Sequence, residues 1–380
     1  MWAIALKEFR QLRRDRRTVA MLFLLPLLFL VVFGYAASFD VQRVPTIVMG
    51  PGAGLVATML PDQLDVQRTD AAGDVAAAED ALRRGEAVVA LVIPSTSADE
   101  PRILVDGTEL FAAQAALRRL AELRAGDSAS TSSTSTSTST TAPSAQEETA
   151  TASPAAAALS SVQVDVLFNP DLRTAVIMIP GLCGIILVFV GTVATALGVV
   201  RERQAGTLEQ LAVMPFRPRD VFIGKIAPYL LIAAIDMAII VAAGMLLFDV
   251  PFRGSVATFT LGAGLFLFVT LGTGVLISTL SQTQGQAIQL SIMTMVPQFL
   301  LSGLFFPLYS MAAGVRWIGY ILPLTYFIKI ARGVMLRDTP IAALWLPFTV
   351  LAIMALVVFA LSTWRFQRDL APADKAARKS

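Results

Sequence analysis

The hydrophobic positions of this chain fall into long runs that are separated by short polar segments. Six runs stand out, at 18–37 and at about 174–200, 223–248, 255–280, 285–307 and 341–363. Each has close to the ~20 residues with which an α-helix crosses ~30 Å of hydrocarbon. The pattern therefore predicts an α-helical polytopic membrane protein with six transmembrane helices.

Composition agrees with a membrane protein. The 380 residues are 55% hydrophobic and only 15% charged, whereas soluble domains carry about 25% charge. Histidine is absent, which excludes histidine metal sites and Ser-His or Cys-His catalysis. The single cysteine, Cys183, lies inside an apolar run, where we interpret it as a small buried hydrophobe.

The residues before the first run, 1–17, have an amphipathic pattern. Apolar residues recur at helical spacing among basic ones, at Trp2, Ala5, Leu6, Phe9 and Leu12. This pattern predicts a helix in the membrane interface, and a disordered basic tail is the alternative. The run 18–37 is longer than the hydrophobic region of a signal peptide, so we expect a retained transmembrane helix.

Residues 38–173 differ from the rest of the chain. The β-like runs VPTIVMG, AVVALVIP and PRILVDG alternate with the helix-like runs DVAAAEDALRRG and ELFAAQAALRRLAELRAG. We therefore predict an α/β domain outside the membrane. A Ser/Thr-rich tract at 127–161 interrupts it, and this tract has too few apolar residues to offset the entropy of ordering, so we expect a disordered insertion.

Basic residues set the expected orientation. They concentrate before the first run, in the loop 201–225 and in the tail 364–380, which places these regions and both termini in the cytoplasm. The 174–363 transmembrane domain would then hold five helices. Its segment 308–336 is broken by Pro323 and ends with Lys329 and Arg332, which favours a re-entrant or interfacial hairpin on the outer side.

Few residues of this chain suggest a catalytic, nucleotide-binding or proton-coupling site. Gly224-Lys225 is followed by Ile226, where a phosphate-binding loop needs Ser or Thr, so we expect no bound ATP. Asp236 is the one carboxylate clearly inside a predicted span. Such residues are costly in a membrane, and three roles stay open for it: structural hydrogen bonding, a pathway or interface role, and proton coupling.

The polar segment 201–222 lies between two predicted spans. Its stretch from Gly206 to Leu211 begins a helical turn with Glu209 near the N-terminus, where a helix dipole favours an acid, and Met214-Pro215 ends it. We predict a short helix across the cytoplasmic face. From its residues alone, it could be an ordinary connector or a contact for a partner.

Several motifs now carry a family resemblance. They stand in this order: Asp106-Gly107-Thr108, Phe168-Asn169-Pro170, Ile179-Pro180-Gly181, Glu202, Gly206-Thr207-Leu208-Glu209-Gln210-Leu211, Pro215, Gln284, Gln286, Pro297, Leu301-Ser302-Gly303 and Pro323-Leu324-Thr325-Tyr326. With them the chain resembles the membrane subunits of ABC-2-type ABC transporters, in the branch with a large extracytoplasmic domain after the first span. The resemblance covers nearly the whole chain and breaks at the Ser/Thr tract.

The resemblance implies the permease subunit of an ATP-driven exporter in the cell membrane. Two such subunits would pair, as homodimer or heterodimer, and each would bind a separate ATPase subunit. That partner would hold ATP and Mg, so this chain would be non-catalytic and bind no cofactor. The coupling helix would comprise Glu202, Gly206, Thr207, Leu208, Glu209, Leu211 and Pro215.

Further site residues follow from the same resemblance, and Asp236 joins them because it is a carboxylate inside a predicted span. The outer hairpin, with Pro323, Tyr326 and Arg332, would cap the exit, and the candidate pathway or interface residues are Asp236, Gln284, Gln286 and Pro297. We expect a drug-like, lipophilic or amphipathic substrate, contact with membrane lipid and no nucleic acid. We also hypothesise that the outer domain contacts a periplasmic or extracellular adaptor or gates the exit.

Three other functions would make different demands on the sequence. An ion-gradient-driven secondary transporter would use Asp236, but such transporters need intramembrane charge pairs or discontinuous helices. A membrane-anchored sensor or adhesion protein would need only one or two spans. A membrane enzyme would need a nucleophile and a base placed together.

Overall fold

A computed structural model of the chain describes residues 43–61, 64–94, 101–118, 121, 163–205 and 218–370. The described residues up to Thr174 form one compact unit, and those from Ala175 onward form a second. Several predicted segments lie outside the described residues, namely 1–17, 18–37, the insertion 127–161, the greater part of the coupling helix (206–217) and the end of the tail (371–380).

A five-stranded sheet forms the centre of the unit that ends at Thr174. Its strands are β1 (Val44–Met49), β2 (Leu64–Asp70), β3 (Val89–Val92), β4 (Arg102–Asp106) and β5 (Gln163–Leu167). Their spatial order is β2-β1-β3-β4-β5. Neighbours are parallel except β3 and β4, which run antiparallel with Ala90 opposite Leu104. β1, β3 and β4 coincide with the three β-like runs of the sequence.

Helices in this unit follow strands, among them α1 (Ala53–Met59) and α2 (Val75–Arg84), and residues 110–118 after β4 are also helical. Helix α2 begins where the Asp74 carboxylate accepts a hydrogen bond from the backbone N–H of Ala77, which satisfies one of the open donors of the first turn. It ends at Gly85, whose φ of 72° suits a residue without a side chain. Its buried face packs with the sheet residues Ile47, Ala90 and Leu104.

The second unit is helical. Its helices are α3 (Thr174–Gln204), α4 (Pro218–Phe248), α5 (Val256–Leu280), α6 (Gln284–Leu301), α7 (Ala313–Ile321), α8 (Pro323–Arg337) and α9 (Trp345–Leu370), with a 3-10 turn at Leu308–Ser310. Helix α4 begins five residues earlier than the apolar run suggested, and α9 begins at Trp345 rather than 341.

Among the described residues, four helices are long and apolar enough to cross a membrane. They are Thr174–Gln204, Tyr229–Phe248, Val256–Leu280 and Trp345–Arg365. Helices α7 and α8 are bent by 76° at Leu322 and count as a fifth if the pair is one broken span. The chain is therefore a multi-pass membrane protein.

The expected span at 285–307 has a different form in the structure. Helix α6 covers only Gln284–Leu301 and is not among the four long apolar helices. Glutamines lower its hydropathy, and after its last residue Gly303 adopts a φ of 87°, which breaks the helix. The count of six spans stays a prediction.

Helix α5 packs at the centre of the helical unit. Phe266 of α5 stacks on Phe327 of α8 with ring centroids 4.4 Å apart. On another side, α5 approaches α3 so closely that a side chain on Gly274 would come within 2.7 Å of the Thr192 carbonyl oxygen. Helices α4 and α9 instead leave many large apolar side chains exposed, as lipid-facing helices do.

Candidate functional site

The end of α3 is tied to the connection between α5 and α6. The guanidinium of Arg203 donates from Nη1 to the carbonyl oxygens of Ser278, at 3.2 Å, and Ser281, at 3.1 Å. These carbonyls belong to the last turn of α5 and its C-cap, where helical carbonyls lack intrahelical partners and attract a cation. Arg203 therefore joins the C-terminal ends of two long helices.

A second bond joins the end of α3 to the start of α6. Gln284 donates from Nε2 to Oε1 of Gln204, at 2.9 Å. Because Gln204 follows Arg203 directly, two consecutive residues of α3 hold the same interhelical turn. We call the set Arg203, Gln204, Ser278, Ser281 and Gln284 the α3–α5–α6 junction.

The start of α6 is fixed by its own capping bonds. The hydroxyl of Thr283 accepts from the backbone N–H of Gln286, at 3.3 Å. The side-chain Oε1 of Gln286 accepts in return from the backbone N–H of Gln282, at 3.0 Å. This reciprocal arrangement is close to a capping box. Gln286, a candidate pathway or interface residue, thus caps α6 and is buried.

The predicted coupling helix, 201–222, includes Arg203 and Gln204 of the junction near its start. Glu202 is half-buried in the last turn of α3, directly before Arg203. The other predicted members, Gly206, Thr207, Leu208, Glu209, Leu211 and Pro215, lie outside the described residues. The junction therefore lies at the last helical residues before the predicted ATPase contact.

Asp236 lies in α4, away from the ends of the helix. It is half-buried, next to exposed Ile235 and buried Met237. No hydrogen bond or ion pair joins its carboxylate to another described residue. Its three possible roles stay open.

Pro297 is half-buried inside α6, between buried Val296 and buried Gln298. Proline has no backbone N–H and so removes the hydrogen bond that this turn would make to the carbonyl of Met293. The amide oxygen of Gln298 is buried without a hydrogen-bond partner among the described residues. This turn of α6 therefore lacks one backbone hydrogen bond and holds an unpaired amide oxygen.

The hairpin of α7 and α8 is held by bonds across its bend. Pro323 occupies the start of α8, where its fixed φ suits the first helical turn. Thr325 donates from its hydroxyl to the Gly319 carbonyl oxygen, at 2.6 Å, and the Tyr326 hydroxyl donates to that of Tyr320, also at 2.6 Å. The bend is thus fixed by side chains of α8 that bind the last turn of α7.

Buried Arg332 connects the hairpin to the segment after α6. Its Nη2 donates to the carbonyl oxygen of Leu304, at 3.1 Å, and only 5% of the residue is exposed. Arg316 in α7 likewise donates to the carbonyl oxygens of Tyr309 and Met311. These two arginines of the hairpin therefore fix the backbone of the segment between α6 and α7.

Two motifs of the first unit meet in space. Asn169 donates from Nδ2 to the Gly107 carbonyl oxygen, at 3.3 Å, and its Oδ1 accepts from the backbone N–H of Arg173. The Asp106 carboxylate accepts from both the backbone N–H and the hydroxyl of Thr108. A side chain at Gly107 would come within 2.7 Å of the Asn169 carbonyl oxygen, so only glycine fits there.

Sequence reasoning missed the contributions of Arg203 and Gln204. Both lie in the polar segment 201–222, between the predicted coupling residues Glu202 and Gly206. Their position could have been a signal, because a basic residue in the last turn of a long helix is favoured near unpaired helical carbonyls.

A family model matches most of this chain. The family is described as ABC-2 family transporter protein, and its model matches residues 16–364. No solved structure matches the chain.

Individual bacterial proteins are also similar. The probable multidrug ABC transporter permease YbhR of Escherichia coli K12 is 34% identical over 178 residues, 47% of this chain and 48% of YbhR. The probable multidrug ABC transporter permease YbhS of the same strain is 27% identical over 357 residues, 88% of each chain. The inner membrane transport permease YhhJ is 30% identical over 218 residues, 56% of this chain and 57% of YhhJ. The chain thus spans about half the length of YbhR and YhhJ and most of the length of YbhS.

Proposed function

This chain belongs to the ABC-2 family of transporter proteins, and from that membership we propose that it is the membrane-spanning permease subunit of an ATP-driven exporter. The membership confirms the resemblance drawn from the motifs. In this proposal the chain forms the substrate path, and a separate ATPase subunit binds and hydrolyses ATP with Mg. The chain itself is non-catalytic and binds no cofactor.

The α3–α5–α6 junction supports the coupling part of this proposal. Arg203 and Gln204 lie at the start of the segment 201–222 predicted as the coupling helix, and these two residues bind the ends of α5 and α6. A displacement of the coupling helix by an ATPase would therefore act on three helices together. An ordinary connector would need no such attachment to neighbouring helices.

The partners follow from the same proposal. An ATPase subunit contacts the coupling helix on the cytoplasmic side, where both termini also lie. A second permease subunit, identical or homologous, completes the substrate path. The exposed apolar side chains of α4 and α9, among them Leu231, Ile235, Ile239, Ile353 and Leu356, suit contact with lipid or with that second subunit.

The substrate is proposed to be drug-like, lipophilic or amphipathic. YbhR and YbhS are named probable multidrug permeases, which supports this class. The α7–α8 hairpin lies on the outer side in this orientation and caps the exit, with Pro323, Tyr326 and Arg332 fixing its shape. An adaptor on the outer domain remains part of the hypothesis.

Purification in mild detergent tests the partnership. The tagged chain is isolated from its native host, associated proteins are identified by mass spectrometry, and ATP hydrolysis is measured. We expect a stoichiometric subunit with a phosphate-binding loop and ATPase activity. A chain that is isolated intact from native membranes with neither partner nor ATP hydrolysis would refute the proposal and favour gradient-driven transport through Asp236.

A further inference from the structure

The hairpin of α7 and α8 exposes an aromatic face with a lysine beside it. Trp317, Tyr320 and Ile321 of α7 are 58%, 46% and 59% exposed. Lys329 of α8 is also exposed, and its Nζ lies 5.9 Å from the centre of the Tyr320 ring. We call these four residues the aromatic–lysine patch.

The patch is rigidly built. The ammonium of Lys329 also lies 6.0 Å from the ring centre of Tyr326, and the hydroxyl of Tyr326 donates to the Tyr320 carbonyl oxygen. On the opposite face of the hairpin, Val315 and Ile318 of α7 and Leu322 at the bend pack against the apolar cluster around the end of α6. The exposed side chains of α7 are therefore held outward by packing behind them.

The stretch of sequence that holds the patch contains basic residues and no acidic ones. No aspartate or glutamate occurs between Asp249 and Asp338, while this stretch contains Arg253, Arg316, Lys329, Arg332 and Arg337. Arg316 and Arg332 direct their guanidinium groups to backbone carbonyl oxygens. Lys329 is exposed, and its ammonium lies beside two aromatic rings.

These chemical features match the surface of a membrane. Trp and Tyr side chains favour the level of lipid headgroups, and lysine extends its ammonium toward that level while its stem stays on apolar surface. A cation beside aromatic rings is oriented without losing its charge. An anionic phosphate is then the complementary group.

We propose that the aromatic–lysine patch binds the headgroup of an anionic phospholipid. The lipid phosphate lies on the Lys329 ammonium, Trp317 and Tyr320 lie at the level of the glycerol, and Ile321 contacts the acyl chains. This site goes beyond the proposed export function and does not depend on ATP or on an ATPase partner. One cation near an anionic membrane surface contributes about 1 kcal/mol, so we expect a roughly fivefold preference for anionic over zwitterionic lipid at this position.

Fluorescence quenching of Trp317 measures this preference directly. The chain has four tryptophans, so Trp2, Trp345 and Trp364 are replaced by Phe in the full chain, which leaves Trp317 as the only one. The protein is reconstituted in vesicles of phosphatidylcholine and phosphatidylglycerol. In one series the phosphatidylglycerol carries acyl chains brominated near the glycerol, and in the other the phosphatidylcholine does.

The expected result is stronger quenching by brominated phosphatidylglycerol at equal mole fraction. Lys329→Gln should equalise the two lipids, and Lys329→Arg should keep the preference. Arg253→Gln, which removes an exposed cation from the α4–α5 connection, is the matched control and should also keep it. Equal quenching by the two lipids in the parent protein would overturn the proposal, and so would a preference that survives Lys329→Gln. Loss of the preference in Arg253→Gln would also overturn it, because that result would indicate a general charge effect.

A bound substrate is distinguished in the same vesicles. They contain only the two lipids and purified protein, so an exported anionic amphiphile is absent. A preference seen there belongs to the lipid headgroup. If the preference arises only after an anionic amphiphile is added, the patch serves substrate and the lipid site is refuted.

Discussion

Arg203 binds Ser278 and Ser281 through a single guanidinium nitrogen, and so connects the last turn of α3 to the last turn of α5. The residues are more than 70 positions apart in the chain. In the proposed orientation this contact lies on the cytoplasmic side, at the start of the predicted coupling segment 201–222. The first prediction follows from it.

Arg203→Met should reduce ATP-driven transport several-fold while the protein still inserts in the membrane. Hydrogen bonds to a charged group contribute about 1.5–3 kcal/mol, and their loss should also lower the thermal midpoint. Arg201→Met is the matched control, because Arg201 is exposed in the same turn and should have little effect. Equal transport by the parent and by Arg203→Met would show that the junction does not transmit movement.

The Gln204–Gln284 bond can be measured with a double-mutant cycle. Gln204→Ala, Gln284→Ala and the double variant are unfolded in mixed detergent, and their stabilities are compared. We expect a coupling energy of about 0.5–1.5 kcal/mol, as for a neutral hydrogen bond. Additive single effects would show that the 2.9 Å contact contributes nothing to joining α3 and α6.

The close approach of α3 and α5 at Gly274 should not tolerate a side chain. Gly274→Ala places a methyl group 2.7 Å from the Thr192 carbonyl oxygen and 2.9 Å from Thr195 Cβ, and overpacking of this kind costs about 1–3 kcal/mol. Gly264→Ala in the same helix has nothing within 4 Å and serves as control. Equal melting temperatures for the two variants would contradict the packing described here.

Asp236→Asn separates the two transport hypotheses. In an ATP-driven exporter the uncharged amide preserves shape and hydrogen-bonding capacity, so transport in vesicles supplied with ATP should persist without an ion gradient. In a gradient-driven transporter the same change removes the only predicted proton carrier and should abolish transport. Transport that requires an ion gradient but no ATP, and that a folded Asp236→Asn protein loses, would therefore argue against the proposed function.

The long apolar helices could be predicted because hydropathy is a property of local sequence. The end of α6 could not, since Leu304, Phe305 and Phe306 continue the apolar run while Gly303 leaves the helical conformation. The junction was also beyond sequence reasoning. Arg203 is bound to a carbonyl 75 positions away, and no local pattern specifies which distant backbone a cation meets.

The candidate glutamines illustrate the same limit. Gln284 and Gln286 were selected by family resemblance, without knowledge of their contacts. The structure places Gln284 against Gln204 and uses Gln286 to cap α6. A pathway or interface role for them stays a prediction, as does the ATPase contact of Glu209.

Charge reversal at Glu209 tests the central claim most directly. The chain is co-reconstituted with its ATPase subunit, and ATP-dependent transport and ATPase binding are measured for Glu209→Lys and for Glu148→Lys in the Ser/Thr-rich tract. The account predicts that Glu209→Lys loses both transport and binding while Glu148→Lys keeps both. Normal transport and binding by Glu209→Lys would contradict the coupling of this permease through the segment that follows Arg203.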